Sequence, residues 1–345
     1  MTRGSCKAFV WVGFSAFCVG SFLFTGEACK AQKGSPDDVG GPQYVALESA
    51  PVTTEAESKA RRADHRIKTA FVIVLENHSW HGIVGNRRSA PYINDVLVPA
   101  GALADNYHND DVEPSEPNYV WMEAGNPLGI RDNDGPDQNY RTTKKHFVSL
   151  LVAGGVPWKT YQQSISGTRC PLVREAAYEP KHNPMIFFAD VTDNNNPRSE
   201  NCIKHMRPET ELAADLTNDT LTGGYIFITP DACHNMHDGC ESNDPIKNGD
   251  NYLASVVPKI QASNAYKNGG AIFVTWDEGD EDEDGDNPKI GMIVLSPFAR
   301  VGYRTGKYYN HSSLLRTMQE IFAVEPMLRG AATATSLGEM FTAYP

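Results

Sequence analysis

The stretch TAFVIVLENHS at residues 69–79 decides the fold class of this protein. Its first seven residues are apolar except for a threonine and do not alternate with polar ones, as a strand with one wet face would. Such a run predicts a strand covered on both faces, which is typical of a sheet between layers of helices. Glu76, Asn77, His78 and Ser79 follow at once. The stretch therefore predicts an α/β fold with polar side chains at the end of a buried strand.

Other segments repeat this organisation along the chain. Apolar runs predict further strands at Tyr225–Thr229, Ala271–Trp276 and Ile290–Leu295. Helical periodicity of apolar residues predicts helices at Tyr252–Ala262 and Ser312–Phe322. Buried strands that alternate with amphipathic helices favour a single α/β domain, with a central, mostly parallel sheet flanked by helices.

The charge balance limits the classes of partner. The 345 residues include 43 acidic and 31 basic side chains, for a formal net charge of −12, and no basic run occurs along the chain. Nucleic acids and anionic membrane surfaces attract basic proteins, so this composition argues against both. A small molecule is the expected partner.

The first 31 residues have the layout of a secretory signal peptide. Arg3 and Lys7 precede an uncharged, mostly apolar stretch at 8–24, and small residues follow it. An uncleaved anchor is the alternative, because this stretch is slightly long for a signal core. Residues 32–66 lack apolar periodicity and predict a flexible lead-in before one folded domain at 67–345. We therefore expect a secreted or periplasmic protein with no stable membrane insertion after leader cleavage.

Four cysteines lie beyond the predicted leader, namely Cys170, Cys202, Cys233 and Cys240. An even set in an exported protein suits two disulfides. Of the three possible connectivities, pairing each cysteine with its sequence neighbour closes the shortest loops. A zinc site is the alternative, although the Cys-x-x-Cys spacing of many zinc sites does not occur.

Polar side chains follow three of the predicted strands, at the edge where α/β sheets bind ligands. They are Glu76 and Asn77 after the first strand, His234 and His237 in the loop after Tyr225–Thr229, and Asp277 and Glu278 after Ala271–Trp276. A polar loop that merely caps its strand is the alternative for each one alone. Together, the carboxylates and the amide predict a site for a divalent cation with oxygen ligands.

A second signal lies at residues 114–125, which read PSEPNYVWMEAG. Pro117 suits the first turn of a helix and places Ser115 just before that turn, where free backbone N–H groups favour an anion such as phosphate. Ser115 could instead be a simple helix cap. A cap can still be a nucleophile, because a nearby cation lowers the pKa of a hydroxyl and orients it.

Six motifs in a fixed order resemble the phosphoesterase family of bacterial phospholipases C and acid phosphatases, which is part of the alkaline phosphatase superfamily. They are LENHS at 75–79, SEPNY at 115–119, KHNP at 181–184, TPD with MHDGC between 229 and 240, TWDEG at 275–279 and NHSSLLR at 310–316. The resemblance spans residues 70–322, so it covers nearly all of the predicted domain. It implies an alkaline phosphatase-like fold and makes 67–345 the catalytic domain.

The resemblance also implies a metal-assisted in-line displacement at phosphorus through a phospho-enzyme intermediate. It assigns Glu76, Asn77, Asp277 and Glu278 to the metal, Ser115 as the nucleophile, Asn118, His182 and His234 to substrate binding, and His237 and His311 to phosphate contact and protonation of the leaving oxygen. Ser79 is the alternative nucleophile, but only Ser115 precedes a Pro-Asn pair.

One departure from the superfamily bears on the metal. Two-zinc members have an Asp-x-x-x-His ligand pair, whereas Asp231 is followed by His234 and His237 at other spacings. The sequence therefore favours a single oxygen-rich site for calcium, magnesium, manganese or iron over zinc.

Three functional hypotheses follow. The first is an exported, metal-dependent phosphoesterase similar to acid phosphatases, acting on a small phosphate ester. The second is a phospholipase C that cleaves phospholipid headgroups, and the third is a secreted protein that binds metal or phosphate without catalysis. Bacterial phospholipases C of the family carry further C-terminal domains, whereas this sequence ends soon after residue 322, which favours the first hypothesis.

Overall fold

The computed structural model describes residues 50–345 except 241, 281–284 and 286. The predicted signal peptide at 1–31 and the first part of the predicted lead-in, up to residue 49, lie outside the described residues. No helix in the described ranges is long and apolar enough to cross a membrane.

The described part of the chain contains ten strands and twelve α-helices. The strands are β1 (Thr69–Leu75), β2 (Ala102–Ala104), β3 (Tyr107–His108), β4 (Trp158–Gln162), β5 (Met206–Pro208), β6 (Tyr225–Thr229), β7 (Gly270–Trp276), β8 (Met292–Leu295), β9 (Arg304–Thr305) and β10 (Tyr309–Asn310). The helices are α1 (Glu55–Arg61), α2 (Trp80–Ile83), α3 (Val98–Ala100), α4 (Ser115–Ala124), α5 (Pro136–Asn139), α6 (Phe147–Ala153), α7 (Ala189–Thr192), α8 (Glu200–His205), α9 (Leu212–Thr217), α10 (Pro245–Ala262), α11 (Asn264–Lys267) and α12 (His311–Phe322).

A central sheet of eight strands organises the domain, in the order β5-β4-β6-β1-β7-β8-β2-β9. Five of its seven pairings are parallel, and β8 is antiparallel to both β7 and β2. Every residue of β1, β6, β7 and β8 is buried, as their continuous hydrophobicity predicts. The predicted α/β domain with a mostly parallel sheet is confirmed.

The register of the central strands places the functional segments. Strand β1 pairs with β6 on one side and with β7 on the other, both in parallel. Leu75 stands opposite Trp276, and the amide of Asp277 donates to the Leu75 carbonyl oxygen at 3.0 Å. The residues that follow β1 and β7 therefore emerge side by side at one edge of the sheet.

The predicted helices and strands match the observed ones closely, and the differences lie at their polar ends. Helix α10 begins at Pro245 instead of Tyr252, because Asp244 caps a first turn that carries no apolar stripe. Helix α12 begins at His311, one residue early, where Asn310 and Ser313 form a capping box.

The second part of the predicted lead-in is ordered instead of flexible. Helix α1 occupies residues 55–61 and begins with a capping box between Thr54 and Glu57. The buried hydroxyl of Ser58 donates to the Phe322 carbonyl oxygen at 2.9 Å, which ties α1 to the end of α12. The prediction of a lead-in up to residue 66 is therefore wrong for this helix. Its signal was missed because capping and tertiary hydrogen bonds, and not an apolar stripe, hold it.

The two disulfides join sequence neighbours, Cys170 to Cys202 and Cys233 to Cys240, with Cα atoms 5.3 and 5.0 Å apart. This confirms the shortest-loop pairing and shows that the alternative of a zinc site at these cysteines is wrong. The second bridge closes the loop that follows β6, so it constrains the segment that carries His234 and His237.

We expect the longer disulfide loop to contribute more stability. Replacing Cys170 and Cys202 together with serine should lower the free energy of unfolding by about 3–4 kcal/mol, because the 32-residue separation gives the reduced chain more entropy to lose. The same change at Cys233 and Cys240 should cost about 2–3 kcal/mol. Urea denaturation of both double variants measures the difference, and the reverse order would contradict the loop-entropy explanation.

Candidate active site

Three buried carboxylates meet where β1 and β7 end. Glu76 and Asp277 are fully buried and Glu278 is 4% exposed. The register of β1 and β7 brings the first two together although 200 residues separate them in the chain. The predicted convergence of these strand ends is thus present in the structure.

Ser115 lies between two of these carboxylates. Its hydroxyl is 3.1 Å from Glu76 Oε2 and 3.1 Å from Glu278 Oε1, and its side chain is buried. Helix α4 begins at Ser115 itself, with Pro114 as its N-cap. The serine is therefore the first helical residue and not the cap, which leaves its hydroxyl to face the carboxylates.

Asn77 connects the strand ends through its backbone and its side chain. Its backbone amide donates to Asp277 Oδ1 at 3.2 Å, and Nδ2 donates to Glu278 Oε1 at 3.1 Å. Its φ of 43° lies in the left-handed region, which asparagine tolerates better than most residues. Its carbonyl oxygen Oδ1 is buried and has no hydrogen-bond partner.

Asn118 lies one helical turn after Ser115 and faces the same cluster. Its Nδ2 donates to Glu278 Oε2 at 3.1 Å and to the Val112 carbonyl oxygen at 2.6 Å. Its Oδ1 is buried without a hydrogen-bond partner. Glu278 Oε1 thus accepts from Ser115 and Asn77, and Glu278 Oε2 accepts from Asn118.

The carboxylates shift one another's pKa values. Burial, with the charges of Glu76 and Glu278, raises the pKa of Asp277 well above its ordinary range. Burial and the charge of Glu76 raise the pKa of Glu278 to about 8. Burial would also raise the pKa of Glu76, but the charge of His182, whose Nε2 lies 3.2 Å from Oε2, lowers it to about 2. Without a cation, the cluster holds one ionised carboxylate and two that favour their protonated forms.

The donor chemistry fits a divalent cation that prefers oxygen. The described residues contain no group of three or more His, Cys, Asp or Glu side chains already arranged as a metal centre. However, Asp277 Oδ2 and Asn77 Oδ1 are buried without hydrogen-bond partners, in a cluster whose carboxylates repel one another when more than one is ionised. A bound cation would satisfy both oxygens and offset the repulsion. An all-oxygen set of this kind suits magnesium, calcium or manganese.

His182 lies against the buried cluster, beside Glu76. Its side chain is buried, and its Nε2 lies 3.2 Å from Glu76 Oε2. Its ring stacks on Tyr119 with a centroid distance of 5.1 Å and an interplanar angle of 27°.

A cavity of about 440 Å³ opens beside Asn77, and His237 lies in its wall. The other lining residues are His78, Glu113, Met236, Gly279 and Asp280. His237 Nδ1 is 2.8 Å from Asp238 Oδ1, and the side chain is 46% exposed. His237 is therefore accessible to a ligand that enters this cavity.

His234 pairs with a carboxylate in the loop that follows β6. Its Nδ1 is 2.7 Å from Asp231 Oδ1, and its ring lies beside Tyr252 with a centroid distance of 6.2 Å. Among the described residues that line the cavity, His237 is present and His234 is not. The ion pair with Asp231 orients the ring, and the role of His234 in substrate binding stays a prediction.

Both ring nitrogens of His311, which was predicted to contact phosphate and protonate the leaving oxygen, bond to neighbouring groups, and that role stays a prediction. Its side chain is fully buried, with Nε2 2.6 Å from the Asp277 carbonyl oxygen and Nδ1 3.2 Å from the Tyr107 hydroxyl. A carbonyl oxygen only accepts, so Nε2 carries the hydrogen and Nδ1 accepts from Tyr107. Burial lowers the pKa of His311 to about 4, so the ring stays neutral. His311 therefore holds the backbone of Asp277 in place.

Two further side chains, Ser79 and Tyr119, bear on the predicted assignment of the site. Ser79, the alternative nucleophile, accepts from the Asp280 amide at 3.1 Å, while Ser115 is the serine hydrogen-bonded to the carboxylates.

Tyr119, to which the sequence assigned no role, donates to Glu76 Oε1 at 2.6 Å. The spacing of four residues between Ser115 and Tyr119 was a signal, because such residues share a helix face.

A neighbouring glutamate makes stability depend on pH. Glu116 is fully buried and accepts from Gly135 N and Asn139 Nδ2 at 2.9 and 2.7 Å. Burial raises its pKa to about 7, against an ordinary 4.5, although these bonds oppose the rise. The folded state therefore keeps a proton that the unfolded chain loses, and stability falls as pH rises between about 4.5 and 7.

We expect Glu116→Gln to remove this part of the pH dependence. Between about pH 4.5 and pH 7, the free energy of unfolding should fall more steeply for wild type than for the variant. Urea denaturation at several pH values measures both slopes. Equal slopes would show that Glu116 does not titrate in this range.

The fold and this cluster define a hydrolase-type α/β protein with a serine placed among buried acidic residues at the edge of a parallel sheet. A profile described as "Phosphoesterase family" matches residues 87–325, more than half of the chain. The chain belongs to this phosphoesterase family. The matched range contains Ser115, Asp277 and Glu278, whereas Glu76 and Asn77 precede it.

Named relatives agree with this family. The chain is 26% identical over 253 residues to a phosphatidylinositol-3-phosphatase of Mycobacterium tuberculosis, covering 73% of this chain and 76% of that one. It is 26% identical to a probable acid phosphatase of Kluyveromyces lactis, covering 81% and 64%. A solved alkaline phosphatase superfamily structure from Vibrio parahaemolyticus matches the fold with a TM-score of 0.52 at 13% identity, covering 79% and 72%.

Proposed function

We propose that the protein is an exported, metal-dependent phosphoesterase that hydrolyses small phosphate monoesters through a phosphoserine intermediate at Ser115. The observation that carries this proposal is the Ser115 hydroxyl, 3.1 Å from each of two buried carboxylates. Membership of the phosphoesterase family and similarity to proteins named as phosphatases support the same reaction class.

The contacts of Ser115 supply the first proton transfer. Glu76 Oε2 or Glu278 Oε1 accepts the hydroxyl proton as the Ser115 oxygen attacks phosphorus. The new Oγ–P bond forms as the ester P–O bond breaks, and the leaving oxygen takes a proton from His237 at the cavity wall. Water then attacks the phosphorus and passes a proton to His237, the Oγ–P bond breaks, and the carboxylate returns its proton to the Ser115 oxygen as phosphate leaves.

Four side chains would hold the cation, namely Glu76, Asn77, Asp277 and Glu278. When bound, a divalent cation supplies positive charge that stabilises the serine alkoxide and the phosphoryl oxygens. Its identity is proposed as calcium, magnesium, manganese or iron in preference to zinc, because the donors are oxygens. His182 adds an imidazole beside Glu76, and Asn118 fixes Glu278.

Two features support export. The signal-like sequence at 1–31 and the two disulfides both suit an oxidising compartment outside the cytoplasm. The net charge of −12 makes nucleic acid an unsuitable substrate.

Paired chromogenic substrates test the proposal. Chelated protein, with magnesium, calcium, manganese or iron added back, is assayed on p-nitrophenyl phosphate and on p-nitrophenylphosphorylcholine across pH. We expect cation-dependent turnover with preference for the monoester. Preference for the diester would favour a phospholipase C. Cation binding without turnover of either ester would favour a binding protein and overturn the proposal.

A further inference from the structure

Tyr119 contacts two members of the cluster from within the helix that carries Ser115. Its hydroxyl donates to Glu76 Oε1 at 2.6 Å, and its ring stacks on His182. On another side, the ring packs edge-on against Phe227 of β6, with centroids 6.3 Å apart and an interplanar angle of 73°. The side chain is fully buried. Packing on both sides therefore fixes the position of the hydroxyl.

This contact separates the two oxygens of Glu76. Oε1 accepts from Tyr119, while Oε2 faces the Ser115 hydroxyl at 3.1 Å and His182 Nε2 at 3.2 Å. A phenolic hydroxyl carries its hydrogen near neutral pH, so Tyr119 is the donor in this bond and Glu76 Oε1 is the acceptor. One oxygen of Glu76 is thus held by the protein and the other is left for the reaction.

We propose that Tyr119 is a positioning residue that makes Glu76 present a single oxygen to the cation and thereby sets the cation preference of the site. This inference rests on the proposed function, because it concerns the same cation. Magnesium requires a compact octahedral shell and suits a carboxylate that binds through one oxygen. Calcium has a larger, flexible shell that readily takes both oxygens of a carboxylate. Holding Oε1 therefore favours magnesium or manganese over calcium.

Tyr119→Phe tests this directly, since it removes the hydroxyl and keeps the ring. Calorimetric titration of chelated protein with magnesium and with calcium gives both dissociation constants without an activity assay. We expect the magnesium constant to rise about 10- to 100-fold, as for other residues that orient metal ligands. The calcium constant should rise less, because a freed Glu76 can bind calcium with both oxygens.

The matched control is Tyr161→Phe. Tyr161 is also fully buried and also donates to a carboxylate, that of Asp215, which pairs with Lys159 instead of joining the cluster. Its loss should lower stability without changing the ratio of the two dissociation constants. Equal ratios in wild type and Tyr119→Phe would overturn the inference while the proposed function stands. Wild type that binds neither cation, nor manganese or iron, would overturn both.

Making Tyr119→Phe in a Glu76→Gln protein tests the same inference if Tyr119→Phe alone folds poorly. In that protein, removing the Tyr119 hydroxyl should strengthen magnesium binding instead of weakening it. In Glu76→Gln, the side chain has one carbonyl oxygen and one amide nitrogen. Tyr119 should draw the oxygen to itself, because a buried hydroxyl that only accepts leaves its hydrogen without a partner. The amide then faces the cation, and the magnesium dissociation constant should rise about 100-fold. Adding Tyr119→Phe should free the amide to turn and restore binding at least about 10-fold. A further loss in the double variant would overturn the inference.

Discussion

Replacing Ser115 with alanine should lower kcat/KM for p-nitrophenyl phosphate by about 10³- to 10⁶-fold, the range seen when a catalytic nucleophile is removed. Ser115 is the serine whose hydroxyl reaches both Glu76 and Glu278, so no neighbouring hydroxyl replaces it in that position. Steady-state kinetics at saturating cation measure the loss. Rapid acid quenching of wild type should trap phosphate on the tryptic peptide that contains Ser115, and the variant should trap none.

Ser79→Ala is the matched control for this experiment. Ser79 is also buried near the end of β1, but its oxygen accepts from the backbone amide of Asp280. Its loss should leave most of the activity. Full activity in Ser115→Ala, or a phosphorylated peptide containing Ser79, would show that the nucleophile is assigned wrongly.

Asp277→Asn should have opposite effects on stability and on activity. In the metal-free protein, burial and the charges of Glu76 and Glu278 raise the pKa of Asp277, so folding at neutral pH requires this carboxyl to take up a proton. Asparagine removes that cost and should raise Tm. The same change removes a charged oxygen from the proposed cation site and should weaken cation binding and kcat/KM by at least about 100-fold. Wild type should gain Tm when the cation is added, whereas the variant should gain little.

Asp215→Asn provides the contrast. Asp215 pairs with Lys159 at 2.6 Å and accepts from Tyr161, so its carboxylate is stabilised instead of repelled. We expect this variant to lose Tm in the metal-free protein and to keep the full gain on adding the cation. Differential scanning fluorimetry with and without cation compares both variants. A fall in the metal-free Tm of Asp277→Asn would argue against a strained carboxylate cluster.

Much of this arrangement could be predicted because it depends on local sequence. Strand β1 has the bounds predicted from its apolar run, and β7 begins one residue early. Helix α12 follows its apolar stripe to Phe322. The start of α10 at Pro245 was missed, because its first turn is polar. A helix start that depends on side-chain capping leaves no periodic pattern of apolar residues in the sequence.

The contacts of the histidine side chains could not be predicted from the sequence. His182, His234, His237 and His311 all lie in recognisable motifs, yet their contacts differ. His182 reaches Glu76, His237 lines the cavity, His234 pairs with Asp231, and His311 bonds to the backbone of Asp277. Their directions depend on contacts such as the Tyr107 hydroxyl, about 200 residues from His311 in sequence. No local pattern encodes such a contact.

The sequence by itself determined the α/β class, the main strands, the family resemblance and the segments that supply the acidic and serine residues, because apolar runs and motifs are local. Only the tertiary structure decided which side chains meet. The parallel register of β1 and β7 places Glu76 beside Asp277, and the start of α4 places Ser115 between two carboxylates. Tyr119 donates a hydrogen bond to one oxygen of Glu76. These distances depend on pairing between segments far apart in the chain, which is fixed by burial of the whole sheet.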